Sequence, residues 1–230
     1  VILPTALVDF GFLPSIGLYV GLENVGAPHN TMRFHVATGG SEWLSATALD
    51  RYSWDGGAGT IAARAEFSRR PDYLFVGVGP DVTQATRARY GLQRAEASVS
   101  LSRRFAEVSG FTFSAGARGM SYREGDCCGD PALDTQIANG SLEIPAGYPA
   151  AYSVVFQHTE LMLDSRAPRP ASASGGFLRL HGGTATDPRH GNTWIGYGAM
   201  GGLAVDLTGH QGTVTLATHV DIVGPVPGIV

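Results

Sequence analysis

The chain has 230 residues, a net charge of −4 at pH 7 and 16 basic residues, all of them arginine. This slightly acidic balance gives no reason to expect nucleic acid as a partner. We see no signal peptide and no run of about 20 apolar residues, the length that a membrane-spanning helix needs. The 32 glycines are spread along the whole length, which favours many turns and small strand positions over a linker.

Strict alternation of apolar and polar residues recurs along the chain and predicts about ten β-strands, with no convincing amphipathic helix. In chain order the alternating segments are residues 15–23, 31–39, 43–52, 60–69, 94–105, 111–119, 152–163, 176–181, 194–207 and 213–221. The segment 94–105 shows the pattern most clearly. One of its faces is apolar, with Ala95, Ala97, Val99 and Leu101, and the other is polar, with Arg94, Glu96 and Ser98.

The connections between these segments are mostly short, so successive strands are expected to be antiparallel neighbours. Two connections are long, from Arg69 to Arg89 and from Arg123 to Pro149. Membrane barrels have this asymmetry, with short turns at one end and long loops at the other.

Two architectures have such alternation, the soluble β-sandwich and the transmembrane β-barrel. Strands of nine or more residues are long enough to cross a bilayer when tilted, and lipid tolerates many Ala and Gly on an apolar face. Charged residues near mid-strand suit a polar lumen: Arg64, Glu66, Arg118 and Glu160. Aromatic residues near strand ends fit interfacial girdles: Trp43, Tyr52, Trp54, Tyr122, Tyr152 and Trp194. The sequence therefore predicts an all-β, antiparallel, up-and-down transmembrane β-barrel.

A more specific pattern is "RRPDYLFVGVGP", residues 69–80, followed by "TRARYGLQRAEASVSLSRRF", residues 86–105. Its elements are an aromatic-x-Gly-x-Gly segment, a polar loop, an Arg-Tyr pair and a long alternating strand. The matching residues are Phe75, Gly77, Gly79, Arg89 and Tyr90. The pattern resembles the surface-antigen barrels of the BamA/TamA family of bacterial outer-membrane proteins. In such barrels a strand often ends in Asp-x-Arg, as at Asp164 and Arg166.

The resemblance implies a bacterial outer-membrane location and a role in insertion, assembly or translocation of other proteins. The implied partners are outer-membrane lipid and client outer-membrane proteins or other envelope subunits, with no nucleic acid. It also implies a barrel of about sixteen strands. We therefore expect residues 1–230 to be one barrel domain, incomplete at its C-terminal end and without upstream periplasmic domains. The alternative is a structural or partner-binding barrel subunit of an envelope complex without insertase activity.

The string "DCCGDP", Asp126 to Pro131, holds both cysteines of the chain, Cys127 and Cys128. Three states are open: a vicinal disulfide in an outward-facing loop, a metal site and a pair of free thiols. A metal site needs about four ligands, and no Cys-x-x-Cys partner is present. An oxidising compartment favours the disulfide.

Histidines on polar strand faces are candidates for catalysis or metal binding: His35, His158, His181 and His219. They follow no metal-binding spacing, and no Gly-x-Ser-x-Gly elbow is present. We therefore expect them to join hydrogen-bond networks in the lumen. The sequence predicts no catalytic residue, cofactor or metal, and a lipid- or ester-processing barrel enzyme is the third hypothesis. The arginine pairs at 69–70 and 103–104 fit a lipid-headgroup contact or a solvated rim equally well.

Overall fold

The computed structural model describes residues 1–8, 12–77, 87–125, 127–145, 148–166, 174–207 and 213–225. Eleven strands occupy most of this length: β1 (Ile2–Leu7), β2 (Ser15–Glu23), β3 (Asn30–Gly40), β4 (Trp43–Trp54), β5 (Gly59–Phe75), β6 (Ala88–Arg104), β7 (Gly110–Glu124), β8 (Tyr152–Asp164), β9 (Gly175–Thr186), β10 (Thr193–Asp206) and β11 (Thr213–Pro225). A 3₁₀ turn, Asp55–Gly57, joins β4 to β5, and a short helix, α1 (Leu133–Ala138), lies between β7 and β8.

All eleven strands belong to one antiparallel sheet whose spatial order follows the chain from β1 to β11. Registers are continuous where β2 meets β3 and where β10 meets β11, with Tyr19 opposite His35 and Gly198 opposite Asp221. Short connections enforce this order because adjacent antiparallel strands need few residues between them. The all-β, up-and-down class predicted from the alternation is confirmed.

Three features of the sheet differ from the sequence prediction. The strand count is eleven instead of about ten, because β1, with the sequence ILPTAL, lacks the alternation that marks the others. The first long connection is shorter than predicted, because β5 runs on to Phe75 and β6 begins at Ala88, whereas the second, between Glu124 and Tyr152, is as long as predicted. The helix α1 has six residues, too few for an amphipathic pattern to be visible in the sequence.

The first compact unit of the chain comprises Val1–Asp50, Arg64–Ala97 and Arg118–Ser153. Its hydrophobic core is small and lies where the β7–β8 connection packs on the strands. The buried members are Ala88, Leu133 and Tyr148, and the partly buried ones are Phe75, Tyr90, Tyr122, Ile137 and Leu142. The connection therefore buries α1 against the ends of β5, β6 and β7.

The second compact unit comprises Arg51–Ala63, Ser98–Ala117 and Val154–Val230. Here the connections are held by polar contacts. The hydroxyl of Ser109 accepts the N–H of Asp164 at 2.9 Å and donates to its carbonyl oxygen at 3.1 Å. Few apolar side chains of this unit are buried, so most of its hydrophobic surface faces outward.

Candidate functional site

One face of the sheet presents apolar side chains to the surroundings. In β6, Val99 is 51% exposed and Leu101 is 46% exposed, whereas the alternate residues Ser98 and Ser100 are less exposed. In β9, the apolar residues Leu178 and Leu180 are also exposed, at 38% and 40%. Soluble monomers rarely leave so many neighbouring apolar side chains uncovered, and a lipid-facing surface requires them. The two faces predicted for β6 are thus distinct in the structure.

The opposite face carries charged residues in ion pairs. Glu96 accepts from the guanidinium groups of both Arg94 and Arg118, each at 2.6 Å. On β5, Arg64 lies 2.6 Å from Glu66. Alternation places these side chains on one face because residues two apart in a strand point to the same side. The mid-strand charges identified in the sequence are therefore mutually compensated.

Histidines and one carboxylate form a network on the polar face of the last four strands. The Nε2 atoms of His181 and His219 lie 2.8 and 2.9 Å from the two oxygens of Asp221. His181 and Asp221 belong to β9 and β11, and both lie opposite Gly198 of the intervening β10. A Cβ atom at Gly198 would lie 2.1 Å from Asp221 Oδ1, so glycine is required for this bridge. The expected hydrogen-bond network is confirmed for these two histidines.

No three His, Cys, Asp or Glu side chains are arranged to hold a metal ion, as far as the described ranges extend.

Four charged residues at the loop end of the first unit form what we call the anchor cluster: Arg70, Asp72, Arg89 and Asp130. Arg89 and Asp72 are buried, with 1% and 0% exposed. Arg89 donates from Nε to Asp130 at 2.9 Å and from a terminal nitrogen to the carbonyl oxygen of Asp72 at 2.8 Å. Arg70 donates two hydrogen bonds of 2.9 Å to the Asp72 carboxylate. Bidentate, charge-assisted pairs of this kind offset the cost of burying charge.

Aromatic rings surround the anchor cluster. The guanidinium carbon of Arg70 lies 5.0 Å from the ring centroid of Trp43 and 5.2 Å from that of Tyr73. Phe12 lies 5.4 Å from the corresponding atom of Arg89. These distances permit cation–π attraction, which strengthens when the cation is desolvated. The two arginines of the anchor cluster are therefore held by ion pairs and by aromatic contacts together.

Tyr148 lies near the end of the β7–β8 connection and contacts α1. Its hydroxyl donates to Asp134 Oδ1 at 2.6 Å, and its ring packs edge-on against Tyr122 with centroids 5.1 Å apart. Burial raises the pKa of the Tyr148 phenol, and the hydrogen bond to the Asp134 carboxylate raises it further. The tyrosine is thus held in its neutral, donating form.

The family-like residues lie at the same end of the sheet. Phe75 ends β5 and packs on the hydrophobic core, and Arg89 and Tyr90 lie at the start of β6. Gly77 has φ of +98°, a conformation that favours glycine. Gly79 lies outside the described residues. The structure thus brings Phe75, Arg89 and Tyr90 to one place, and the family role of these residues stays a prediction.

The two cysteines lie in the anchored connection, beside Asp130. The sulfur atoms of Cys127 and Cys128 are bonded, and Cys127 is buried whereas Cys128 is exposed. Cys127 also forms an isolated bridge with Asp130. Asp126 lies outside the described residues. The oxidation state of the pair in the cell stays a prediction.

The sheet has two edge strands of different character. Within the described residues, β1 and β11 each have one neighbouring strand. β1 has six residues and contains Pro4, which cannot donate a backbone hydrogen bond to a further strand. β11 has 13 residues and no proline before Pro225. Within the described residues, the hydrogen-bonding edge of β11 is therefore longer than that of β1.

An up-and-down antiparallel sheet with one apolar exposed face and one charged face defines the outer-membrane β-barrel type of fold. The comparison with solved structures agrees. The chain is similar to the crystal structure of BamA from Haemophilus ducreyi lacking POTRA domains 1–3, with a TM-score of 0.61 and 8% sequence identity. The alignment covers 98% of this chain and 41% of that chain. At this identity the likeness concerns the fold alone.

No protein-family model matches the chain, and no curated protein matches it. None of the helices in the described ranges combines the length and apolar character needed to cross a membrane.

Sequence reasoning missed the partners of Arg89. Asp130 is separated from it by 41 positions, and Asp72 by 17. No local pattern connects such residues, because the contact arises when the β7–β8 connection folds onto the sheet. One weak hint of these contacts is present in the sequence. Acidic residues occur in both predicted long connections, and a strand whose start is rich in arginine follows the first of them.

Proposed function

We propose that the protein is a β-barrel protein of the bacterial outer membrane that takes part in the insertion, assembly or translocation of other proteins. The observation that carries the proposal is the up-and-down sheet with its exposed apolar face, which is similar in fold to the BamA barrel. The proposed mechanism is strand addition, in which a client strand pairs with an edge of the barrel sheet and main-chain hydrogen bonds supply the affinity. The role needs no catalytic residue.

The outer-membrane location is supported by the exposed apolar face. Exposed apolar side chains such as Val99, Leu101 and Leu178 are favourable when acyl chains cover them, whereas in water they promote aggregation. The proposed partners are outer-membrane lipid and client outer-membrane proteins.

The alternative function is a structural or partner-binding barrel subunit of an envelope complex. The anchor cluster favours it, because the ion pair of the buried Arg89 with Asp130 holds the β7–β8 connection against β6. In that case no strand edge of the barrel receives a client strand.

A folding assay distinguishes the two functions. The full-length protein is placed in liposomes, an unfolded eight-stranded outer-membrane barrel is added, and the folding of this client is followed by its altered migration on unheated gels. We expect faster folding than in empty liposomes.

Client folding at the rate found in empty liposomes would reject the assembly role. That result would support the structural alternative, in which the barrel holds envelope partners and receives no client strand.

A further inference from the structure

The two cysteines lie in a tight turn that precedes α1. Cys128 and Gly129 are the central residues of the turn, with φ of +67° and +80°, and Cys127 forms a bridge with Asp130 across it. Positive φ at both central positions is the geometry of a type I′ turn. The bonded sulfur atoms of Cys127 and Cys128 therefore lie within the turn that ends at Asp130.

The chain contacts the start of β6 on both sides of this turn. Before the turn, a Cβ atom at Gly125 would lie 2.4 Å from the backbone nitrogen of Tyr90, so only glycine fits there. At the end of the turn, the Asp130 carboxylate lies 2.8 Å from the Arg89 guanidinium. The N–H of Arg89 also donates to the carbonyl oxygen of Pro131 at 2.8 Å. The conformation of the turn therefore determines how Asp130 and Pro131 meet β6.

The two sulfur atoms differ in access to solvent. Cys127 is 6% exposed, whereas Cys128 is exposed at the tip of the turn. Exposed disulfides are reduced more easily than buried structural ones. A bond between adjacent residues also closes the smallest possible loop, so it constrains the unfolded chain little. We propose that Cys127–Cys128 is a thiol–disulfide exchange site whose opening releases the β7–β8 connection from β6.

The exchange begins at Cys128, and its reductant is a dithiol. One thiolate of the dithiol attacks the Cys128 sulfur, a new sulfur–sulfur bond forms, and the bond to Cys127 breaks. The electron pair of the broken bond passes to the Cys127 sulfur, which takes a proton from water. The second thiolate of the dithiol then attacks the mixed disulfide and displaces Cys128, which is protonated in turn. Two electrons thus pass to the protein, which gains two thiols while the dithiol becomes a disulfide.

Reduction changes the freedom of the turn. The φ of Cys128 lies in a region that residues other than glycine seldom adopt, and the bond to Cys127 limits the alternatives. With two free thiols the segment leaves this conformation more readily. Asp130 and Pro131 then lose their fixed position against Arg89, and the connection separates from the start of β6.

Alkylation followed by mass measurement of the peptide that holds both cysteines tests the disulfide. The full-length protein is prepared in neutral detergent micelles without reductant, and one portion is treated with dithiothreitol. Each portion is then unfolded in urea and alkylated. We expect no alkylated thiol in the untreated peptide and two in the treated one. Two alkylated thiols in the untreated peptide would overturn the proposal.

Two variants test the direction of attack. Cys127→Ser leaves Cys128 as the remaining thiol of the pair, and Cys128→Ser leaves Cys127. In the folded protein, Cys128 should react with a maleimide roughly tenfold faster than Cys127, because a buried thiol reacts only after local opening. In urea the two rates should be equal, which makes each variant its own control. Equal rates in the folded protein would contradict attack at Cys128.

Hydrogen exchange tests the release. The N–H of Arg89 should exchange roughly tenfold faster after reduction, because opening of the contact with Pro131 governs its exchange. The N–H of Asp187, which donates to Asn192 at 2.8 Å in the β9–β10 turn, is the control and should not change. The double variant with serine at both cysteine positions should not respond to the reductant. Unchanged exchange at Arg89 after complete reduction of the unsubstituted protein would overturn the proposal, whether or not the variants fold.

Discussion

Arg89 joins three separate parts of the chain through one side chain. It contacts the backbone of Asp72 on β5, the carboxylate of Asp130 in the β7–β8 connection and the ring of Phe12. Because the side chain is almost fully buried, losing it would leave polar partners without compensation. The residue is therefore expected to carry much of the stability of this end of the sheet.

Arg89→Met tests that expectation. Removing one partner of a buried ion pair is expected to lower the free energy of unfolding by about 3 kcal/mol. Arg64→Met is the control, since its 56% exposed side chain makes a surface ion pair worth about 0–1 kcal/mol. Urea unfolding in detergent micelles measures both. Equal losses in the two variants would show that Arg89 is not an anchor.

Tyr148 is expected to make the stability of the β7–β8 connection decrease at alkaline pH. Its folded-state pKa is raised by burial and by the Asp134 carboxylate, above the value of about 10 in unfolded chains. The resulting stabilisation is fully present below about pH 10 and is lost as the pH rises through the folded-state value. We expect one tyrosine to ionise last in an ultraviolet absorbance titration.

Tyr148→Phe should remove that last step, and Asp134→Asn should move it to lower pH because the neighbouring negative charge is gone. If the titration is the same in all three proteins, the Tyr148–Asp134 hydrogen bond does not form in solution.

Strands show how far alternation predicts structure. Ten of the eleven strands were predicted, and residues 15–23 coincide with β2. The alternation is visible because successive residues of a strand face two different environments. β1 was missed because Pro4 interrupts its pattern, and the start of β6 was missed because consecutive residues there are buried, so that no alternation marks it. Contacts between strands and connections lie beyond any local pattern.

The facing of β6 is testable with two neighbouring residues. Val99→Arg places a charge on the exposed apolar face and should cost about 2–4 kcal/mol near the bilayer midplane. Ser98→Arg places the same charge on the polar face and should cost much less. A folding assay from detergent or urea into lipid measures the difference. Equal losses would reject the assignment of the two faces.

Two glycines of β10 form a matched pair. At Gly198 a Cβ atom would lie 2.6 Å from the carbonyl oxygen of Val220, so Gly198→Ala should destabilise the sheet by about 1–3 kcal/mol. At Gly196 the nearest atom would be 3.6 Å away, in ordinary contact. Gly196→Ala should therefore be neutral within about 0.5 kcal/mol, or slightly stabilising. Thermal unfolding compares them, and equal behaviour would contradict the packing around Asp221.

The whole sheet combines an apolar exposed face, a charged opposite face and two edge strands. The fold class followed from the sequence because alternation and short connections restrict the topology to a meander. The registers could not be predicted, because they depend on which residues of separate strands lie side by side. The edges at β1 and β11 leave backbone groups that lipid cannot satisfy, each at a cost of several kcal/mol.

The central claim is that this sheet is a lipid-facing segment of a larger barrel. Electron cryomicroscopy of the full-length protein in a lipid nanodisc tests it directly. The account predicts β1 to β11 in sequential order, Val99 and Leu101 against acyl chains, and a further strand beside both β1 and β11. A barrel closed by β1 pairing with β11, or a second protein layer packed on the Val99 face, would contradict it.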